Sequence, residues 1–292
     1  MMSLPQTAHP ESTGTHTSTS ARLAAAAAID ARGTAEAEWR DAGLLEGLPE
    51  LELPTGPVVV VAAHPDDEVL GFGGTMATLL AAGVEVHTVC LTDGEASHGA
   101  ASASARAELA ARRRDELRAA LAELGPVPDT SAVPDASAVS DASAVPAVSA
   151  VPEPVFAALP DTELDAYEYE AATVIGGVLD AAGAAVCVAP WAADLHSDHE
   201  AAGRAALRAC RSTSLPVWSY PVWMWHWARP DDARVPWHRC GVLPLSEAAL
   251  GRKKAALARF ASQLEPRGPE VGPVLPAEEI AHHTRAFETV IR

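Results

Sequence analysis

Basic residues are scarce in this chain. Lys and Arg together number 21 against 39 Asp and Glu, a formal net charge of −18. A general nucleic-acid binder, or a protein that adheres to anionic membranes, needs a basic face, so neither class is expected. Cysteine is equally sparse: Cys90, Cys187, Cys210 and Cys240 are scattered, with no CxxC pair. Cys90 and Cys187 fall in apolar runs, where a reduced thiol serves as a small hydrophobe. The pattern points to a reduced, cytoplasmic protein rather than a disulfide framework. The opening stretch MMSLPQTAHPESTGTHTSTS holds no Lys or Arg and reads as no secretory leader. No apolar run reaches the length of a membrane span. Phosphate-handling loops are missing too. GFGG at 71–74 lacks the G-x-G-x-x-G spacing and reads as a close turn into a helix, and no Walker or DxD-type loop accompanies the histidines.

What is present is organised. Residues 1–20 are polar, rich in Ser, Thr, His and Pro, and are expected to form a disordered tail. Residues 21–55 read as a helical segment broken near Gly33. From 56 to 292 strand and helix patterns alternate. Val58–Ala62 is a continuous β-branched run, Phe72–Ala82 a helix closed by Gly83, Val84–Leu91 a strand, and Ala103–Leu124 a charged helix. A helix over Leu164–Ala182, a strand over Ala185–Pro190, a helix from about Asp198 and an aromatic strand over Pro216–Trp227 follow. Apolar strands without polar alternation imply an α/β fold, a Rossmann-like, mostly parallel sheet with helices on both faces, in a single domain. Residues 127–154 interrupt it with a hexapeptide repeat (VPDTSA, VPDASA, VSDASA, VPAVSA, VPEP). That is fewer than the roughly three coils a β-helix needs, so the repeat reads as a flexible insertion.

Two constellations carry chemistry, and each follows a strand, where α/β folds gather their active sites. The first is His64, Asp66 and Asp67 in AHPDDE at 63–68; the second is His196, Asp198 and His199 in DLHSDH at 194–199. Adjacent buried carboxylates need a positive partner. One carboxylate with imidazoles suits a divalent ion, and a second carboxylate can address water beside it. An Asp that merely caps the following helix is the plain alternative for the first stretch. His196 and His199, spaced i, i+3, fall on one side of a helical turn.

These motifs resemble the paired signatures of the PIG-L/LmbE-like deacetylases, which include the N-acetylglucosaminyl-phosphatidylinositol deacetylase and the mycothiol-pathway deacetylase. The resemblance runs over about residues 56–125 and 155–265. It implies that His64, Asp67 and His199 bind a metal, usually zinc, with Fe(II) also acceptable to these ligands. It implies Asp66 as general base, His196 as oxyanion stabiliser or proton donor to the leaving amine, and Asp198 as the carboxylate orienting a histidine. Arg113 and Asp161 would contact a sugar. The implied activity is hydrolytic removal of an N-acetyl group from an acetamido sugar or its conjugate, a small-molecule substrate. The alternatives are an amidase for a larger acyl or thiol conjugate, and a catalytically silent sugar-binding module.

Three further features have competing readings. In WSYPVWMWHWARP at 218–230, strand alternation would set Trp223, Trp225 and Trp227 on one face, as core or as a substrate wall, with His226 a weak candidate ligand. His98, after the second strand, reads as an ordinary loop histidine or as one that reaches the cleft. Arg252, Lys253 and Lys254 read as a solvated helix face, and FASQ at 260–263 resembles a late family segment near the site.

Overall fold

In a computed structural model the described residues are 27–29, 31–99, 101–125, 151–211, 213–268 and 270–292. The polar tail at 1–20, and the hexapeptide repeat as far as residue 150, lie outside them. Seven strands form one sheet: β1 Val58–Ala62, β2 Val86–Thr92, β3 Val155–Leu159, β4 Val186–Pro190, β5 Val217–Tyr220, β6 Cys240–Pro244 and β7 Phe287–Ile291. Their order is β3-β2-β1-β4-β5-β7-β6. β1 to β5 pair in parallel, and β7 runs antiparallel to both of its neighbours.

The apolar run of β1 is buried on both faces. Val58, Val60 and Ala62 pack with α2 (Asp67–Ala81), α3 (Ala103–Leu124) and α7 (Glu247–Leu257), whereas Val59 and Val61 pack with α4 (Glu168–Ala182) and α5 (Ser197–Cys210). A strand with helices on either side has no polar face, which is why its sequence does not alternate. α1 (Glu36–Asp41) lies on a third cluster, where Trp39 is fully buried and its indole Nε1 donates to the Trp225 carbonyl at 3.0 Å. The remaining helices are short: α6 Met224–Trp227, α8 Ala261–Leu264 and α9 Ala277–His282.

Several sequence expectations shift. α2 begins at Asp67, five residues before the expected Phe72, so GFGG lies inside the helix instead of in a turn. Its glycines serve close packing. A Cβ on Gly71 would stand 2.0 Å from the Tyr220 ring, and one on Gly74 2.4 Å from Leu245. The aromatic strand ends at Tyr220, and residues 224–227 turn into α6, so the three tryptophans do not share a face. The cause is Asp194, whose carboxylate accepts the N–H groups of Val222, Trp223 and Met224 at 3.2, 2.9 and 2.9 Å and draws the chain out of the sheet.

Lys253 is not solvated. It is 1% exposed, and its Nζ donates to Glu288 Oε1 and to the Leu70 carbonyl, both at 2.7 Å. Glu288, on β7, also accepts the N–H groups of Gly74 and Thr75 at 2.7 and 2.8 Å, while His283 Nδ1 lies 3.1 Å from the Leu70 carbonyl. Side chains from α7, β7 and the segment before β7 thus reach into the backbone ladder of α2 one to two turns beyond its start. Glu288→Ala would leave the Lys253 ammonium buried without its counter-charge. The expected loss is about 3–5 kcal/mol of unfolding free energy, measured by urea denaturation. A loss below about 1 kcal/mol would contradict the buried pair.

Candidate active site

β1 and β4 are neighbours in space whose connections leave toward opposite sides of the sheet, the switch point at which doubly wound folds leave a crevice. Both histidine-bearing stretches emerge there. The backbone that carries them is unusual. Of the six non-glycine residues with positive φ among the described residues, three gather here: Asp66, Thr162 and Leu195, at 137°, 71° and 66°. Each flanks or belongs to the cluster, and non-glycine residues in such conformations persist only where the surroundings enforce them.

Asp67 folds back onto the strand end. Its Oδ2 accepts the N–H groups of Ala63 and His64 at 3.1 and 2.8 Å, and its Oδ1 lies 3.1 Å from His199 Nε2. The His64 Nδ1 is 3.5 Å from the same carboxylate. The other nitrogen of His64, Nε2, faces Asp161 Oδ1 and Asp198 Oδ2, each at 3.2 Å. Asp198 is itself fixed by the N–H groups of Thr162 and Leu164 at 2.8 and 3.2 Å. His196 completes a triangle of imidazoles, with ring centroids 4.9 Å from His64 and 4.6 Å from His199.

Asp66 stands apart from this cluster. It makes no side-chain cap to α2, which removes the plain capping role, and its Oδ2 accepts from Arg113 Nη2 at 3.0 Å. Arg113 is 2% exposed and also donates to the Pro65 carbonyl at 2.7 Å and the Gly94 carbonyl at 2.9 Å. Two neighbouring aspartates therefore sit in different fields. Burial, reinforced by the Asp67 charge and opposed by Arg113, lifts Asp66 to about 7. Burial acts on Asp67 in the same sense, but the His199 and His64 imidazoles outweigh it and hold that carboxyl well below its usual range. Burial together with the positive fields of His199 and His64 drives His196 down to about 3. His199 rises to about 9, because Asp67 and Asp194 more than offset its burial.

His64, Asp66, Asp67, Arg113, Asp161, His196 and His199 all line one cavity of about 210 Å³. Asp198 sits behind it against His64. Trp225 is not part of this wall: it is buried in the third cluster, edge-on to Trp39 at 5.2 Å, and Trp223 lines the cavity instead. His226 pairs with Glu279 and the Ala31 carbonyl, and His98 with the Ser262 carbonyl at 2.9 Å. Gln263 of FASQ reaches the cavity, anchored through Ser262, which Glu116 holds by two hydrogen bonds.

One residue had no role from sequence. Asp194 Oδ2 is 2.8 Å from His199 Nδ1, the nitrogen opposite the one facing Asp67. Its only sequence signal is its place five residues before His199, on the same strand-to-helix loop.

The donor set suits a cation. The ligating atoms of His64, His196 and His199 lie within 4.8 Å of one another, as do those of His64, Asp161 and Asp198. Asp67 touches two of the three imidazoles, and the His196 Nδ1 is buried without a partner. Imidazole nitrogens with carboxylate oxygens, with His64 and His199 each flanked by more than one carboxylate, form an environment that fits a divalent transition metal.

The family model described as PIG-L, GlcNAc-PI de-N-acetylase, matches residues 59–210, more than half of the chain. The chain belongs to this family. Two mycobacterial relatives are both 1D-myo-inositol 2-acetamido-2-deoxy-alpha-D-glucopyranoside deacetylases. The protein from Mycolicibacterium vanbaalenii is 42% identical over 81 residues, 25% of this chain and 28% of that protein. The one from Mycobacterium avium is 46% identical over 79 residues, 24% and 26% respectively. The match thus spans about a quarter of the length of these curated relatives. Among solved structures, the A40926 pseudoaglycone deacetylase superposes with a TM-score of 0.54 at 18% identity, over 80% of this chain and 96% of that one. The 4-carboxy-2-hydroxymuconate hydratase from Pseudomonas putida KT2440 superposes at 0.50 with 20% identity, over 72% and 80%. At these identities the likeness is one of fold, and it matches the Rossmann-like architecture expected for the family.

Asp194 accepts three backbone N–H groups besides facing His199. Asp194→Ala would strand those donors in the interior, each worth about 1–3 kcal/mol when unpaired. The expected result is destabilisation of at least about 3 kcal/mol by thermal or urea unfolding. A near-neutral effect would mean that water replaces the carboxylate there.

Proposed function

We propose that this protein is a metal-dependent N-deacetylase acting on an acetamido sugar or sugar conjugate, with zinc as the metal. The observation that carries this reading is the division of labour between the adjacent aspartates. Asp67 is built into the imidazole cluster, whereas Asp66 is held off it by Arg113, with a carboxyl poised near neutrality. A ligand and a base need opposite environments, and the two side chains have them. A silent sugar-binding module would have no use for such a base.

In this reading His64, Asp67 and His199 hold the metal, and Asp194 and Asp198 orient the two imidazoles from behind. When bound, the ion polarises an amide carbonyl and lowers the pKa of water from 15.7 toward about 7. Asp66 takes the proton from the attacking water and returns it to the nitrogen as the C–N bond breaks, which leaves acetate and a free amine. Its elevated pKa suits both halves of that exchange. His196 stays neutral at physiological pH and stabilises the carbonyl oxygen by a hydrogen bond, which favours that role over donating a proton to the amine. Arg113 holds Asp66 in place. Asp161 accepts from a sugar hydroxyl, and the Ala96 N–H fixes its carboxylate at 2.7 Å. Among the described residues no helix is long and apolar enough to cross a membrane.

Asp66→Asn should keep its metal and lose about 10²–10⁴-fold in kcat, read as acetate release from N-acetyl sugars beside metal content per chain. Retained turnover would sink the base assignment, and loss of metal would reassign Asp66 as a ligand. The metal itself gives a pH signature. In the metal-free protein flanking carboxylates raise His64 and His199, His199 to about 9, so both imidazoles carry protons at pH 7. Ligation needs them neutral, and metal uptake therefore expels protons. Apparent affinity should climb as pH rises from 6 to 8, by about tenfold per unit for each proton displaced. Calorimetry in buffers of different ionisation enthalpy counts those protons. Uptake without proton release would exclude these two histidines as ligands.

A further inference from the structure

We infer that the substrate is a neutral N-acetylated sugar bearing an apolar aglycone, and that Trp223 is the residue that selects it. The inference rests on the deacetylase reading above and adds the chemistry of the group beside the sugar. Two independent features of the cavity lead to it.

The first is the apolar part of its lining, made by Leu70, Val222, Trp223, Val274 and Leu275. Trp223 is only partly buried, and its backbone is fixed where it matters. Its N–H donates to Asp194 Oδ2 at 2.9 Å, the same oxygen that lies 2.8 Å from His199 Nδ1. The indole wall is thereby tied to the metal-ligand candidate at a set distance. Leu275 is anchored likewise, its N–H donating to the Gln263 carbonyl at 2.9 Å. Apolar surface held open beside polar catalytic groups gains stability when an apolar group covers it.

The second feature is charge. Among the residues lining the cavity Arg113 is the one Lys or Arg, and both of its terminal nitrogens are already given to Gly94, Pro65 and Asp66. Three carboxylates, Asp66, Asp67 and Asp161, share the lining. A divalent ion with the guanidinium balances these charges and leaves no surplus to receive a phosphate. The chain as a whole carries −18 and repels anions at longer range. A phosphate-bearing sugar conjugate therefore meets no complementary group, whereas an alkyl or aryl substituent meets Trp223.

The test compares three probes on the zinc-reconstituted protein: the methyl and hexyl glycosides of N-acetylglucosamine, and N-acetylglucosamine 1-phosphate. Acetate release should give kcat/KM for the hexyl glycoside at least about tenfold above the methyl one, and for the phosphate at least about tenfold below it. Trp223→Ala should collapse the hexyl-to-methyl ratio, and Trp223→Phe should restore most of it. A phosphate ester that is the best substrate, or a hexyl glycoside no better than the methyl one, overturns the inference. If no probe releases acetate, the deacetylase reading fails by itself, and calorimetry with the corresponding free amines decides the inference. Tighter binding of hexyl glucosaminide than of glucosamine 1-phosphate upholds it, and the reverse order overturns it.

Discussion

Everything around the cavity answers to one constraint, the burial of like charges. Asp66, Asp67, Asp161, Asp194 and Asp198 are all under one-tenth exposed, within a cluster that contains three imidazoles and a single guanidinium. Carboxylates out of water are tolerated only when hydrogen bonds and positive charge replace the hydration they lose. The strand end supplies N–H groups to Asp67, the turn at Thr162 supplies them to Asp198, and the segment after β5 supplies three to Asp194. The positive backbone angles at Asp66, Thr162 and Leu195 are the local cost of aiming those donors and side chains at one point.

The frame behind the site is tied together in a second way. α2 begins with Asp67 and runs away from the cavity, and one to two turns later its backbone is gripped by Lys253 and Glu288 from the last third of the chain. The antiparallel pair β6–β7 therefore does more than extend the sheet. It delivers a buried carboxylate to the helix that carries a ligand candidate, so the C-terminal strand and the first motif are mechanically one unit.

Family membership and chemistry rest on different ground. The same framework superposes on a deacetylase and on a hydratase, two reactions that share the addition of water and little else. A fold that hosts both leaves the choice to side chains. Here the different contacts of the adjacent Asp66 and Asp67, one to Arg113 and one to the imidazole cluster, are what the proposed amide hydrolysis rests on.

The sequence by itself determined the frame and which side chains gather in the candidate site. Continuous apolar strands set the parallel sheet. The resemblance picked out His64, Asp66, Asp67, His196 and His199, which come together because each motif follows a strand of that sheet. It could not determine what depends on contacts between distant segments. Trp225 as a substrate wall and Lys253 as a solvated cation each read plausibly in isolation, and the fold buries both elsewhere. Alternation presumes that a strand continues, yet the Asp194 carboxylate ends it, and the partner of Lys253 lies 35 residues further on. Local pattern encodes which face of an element is apolar. Which polar group finds which partner is decided only when the chain closes on itself.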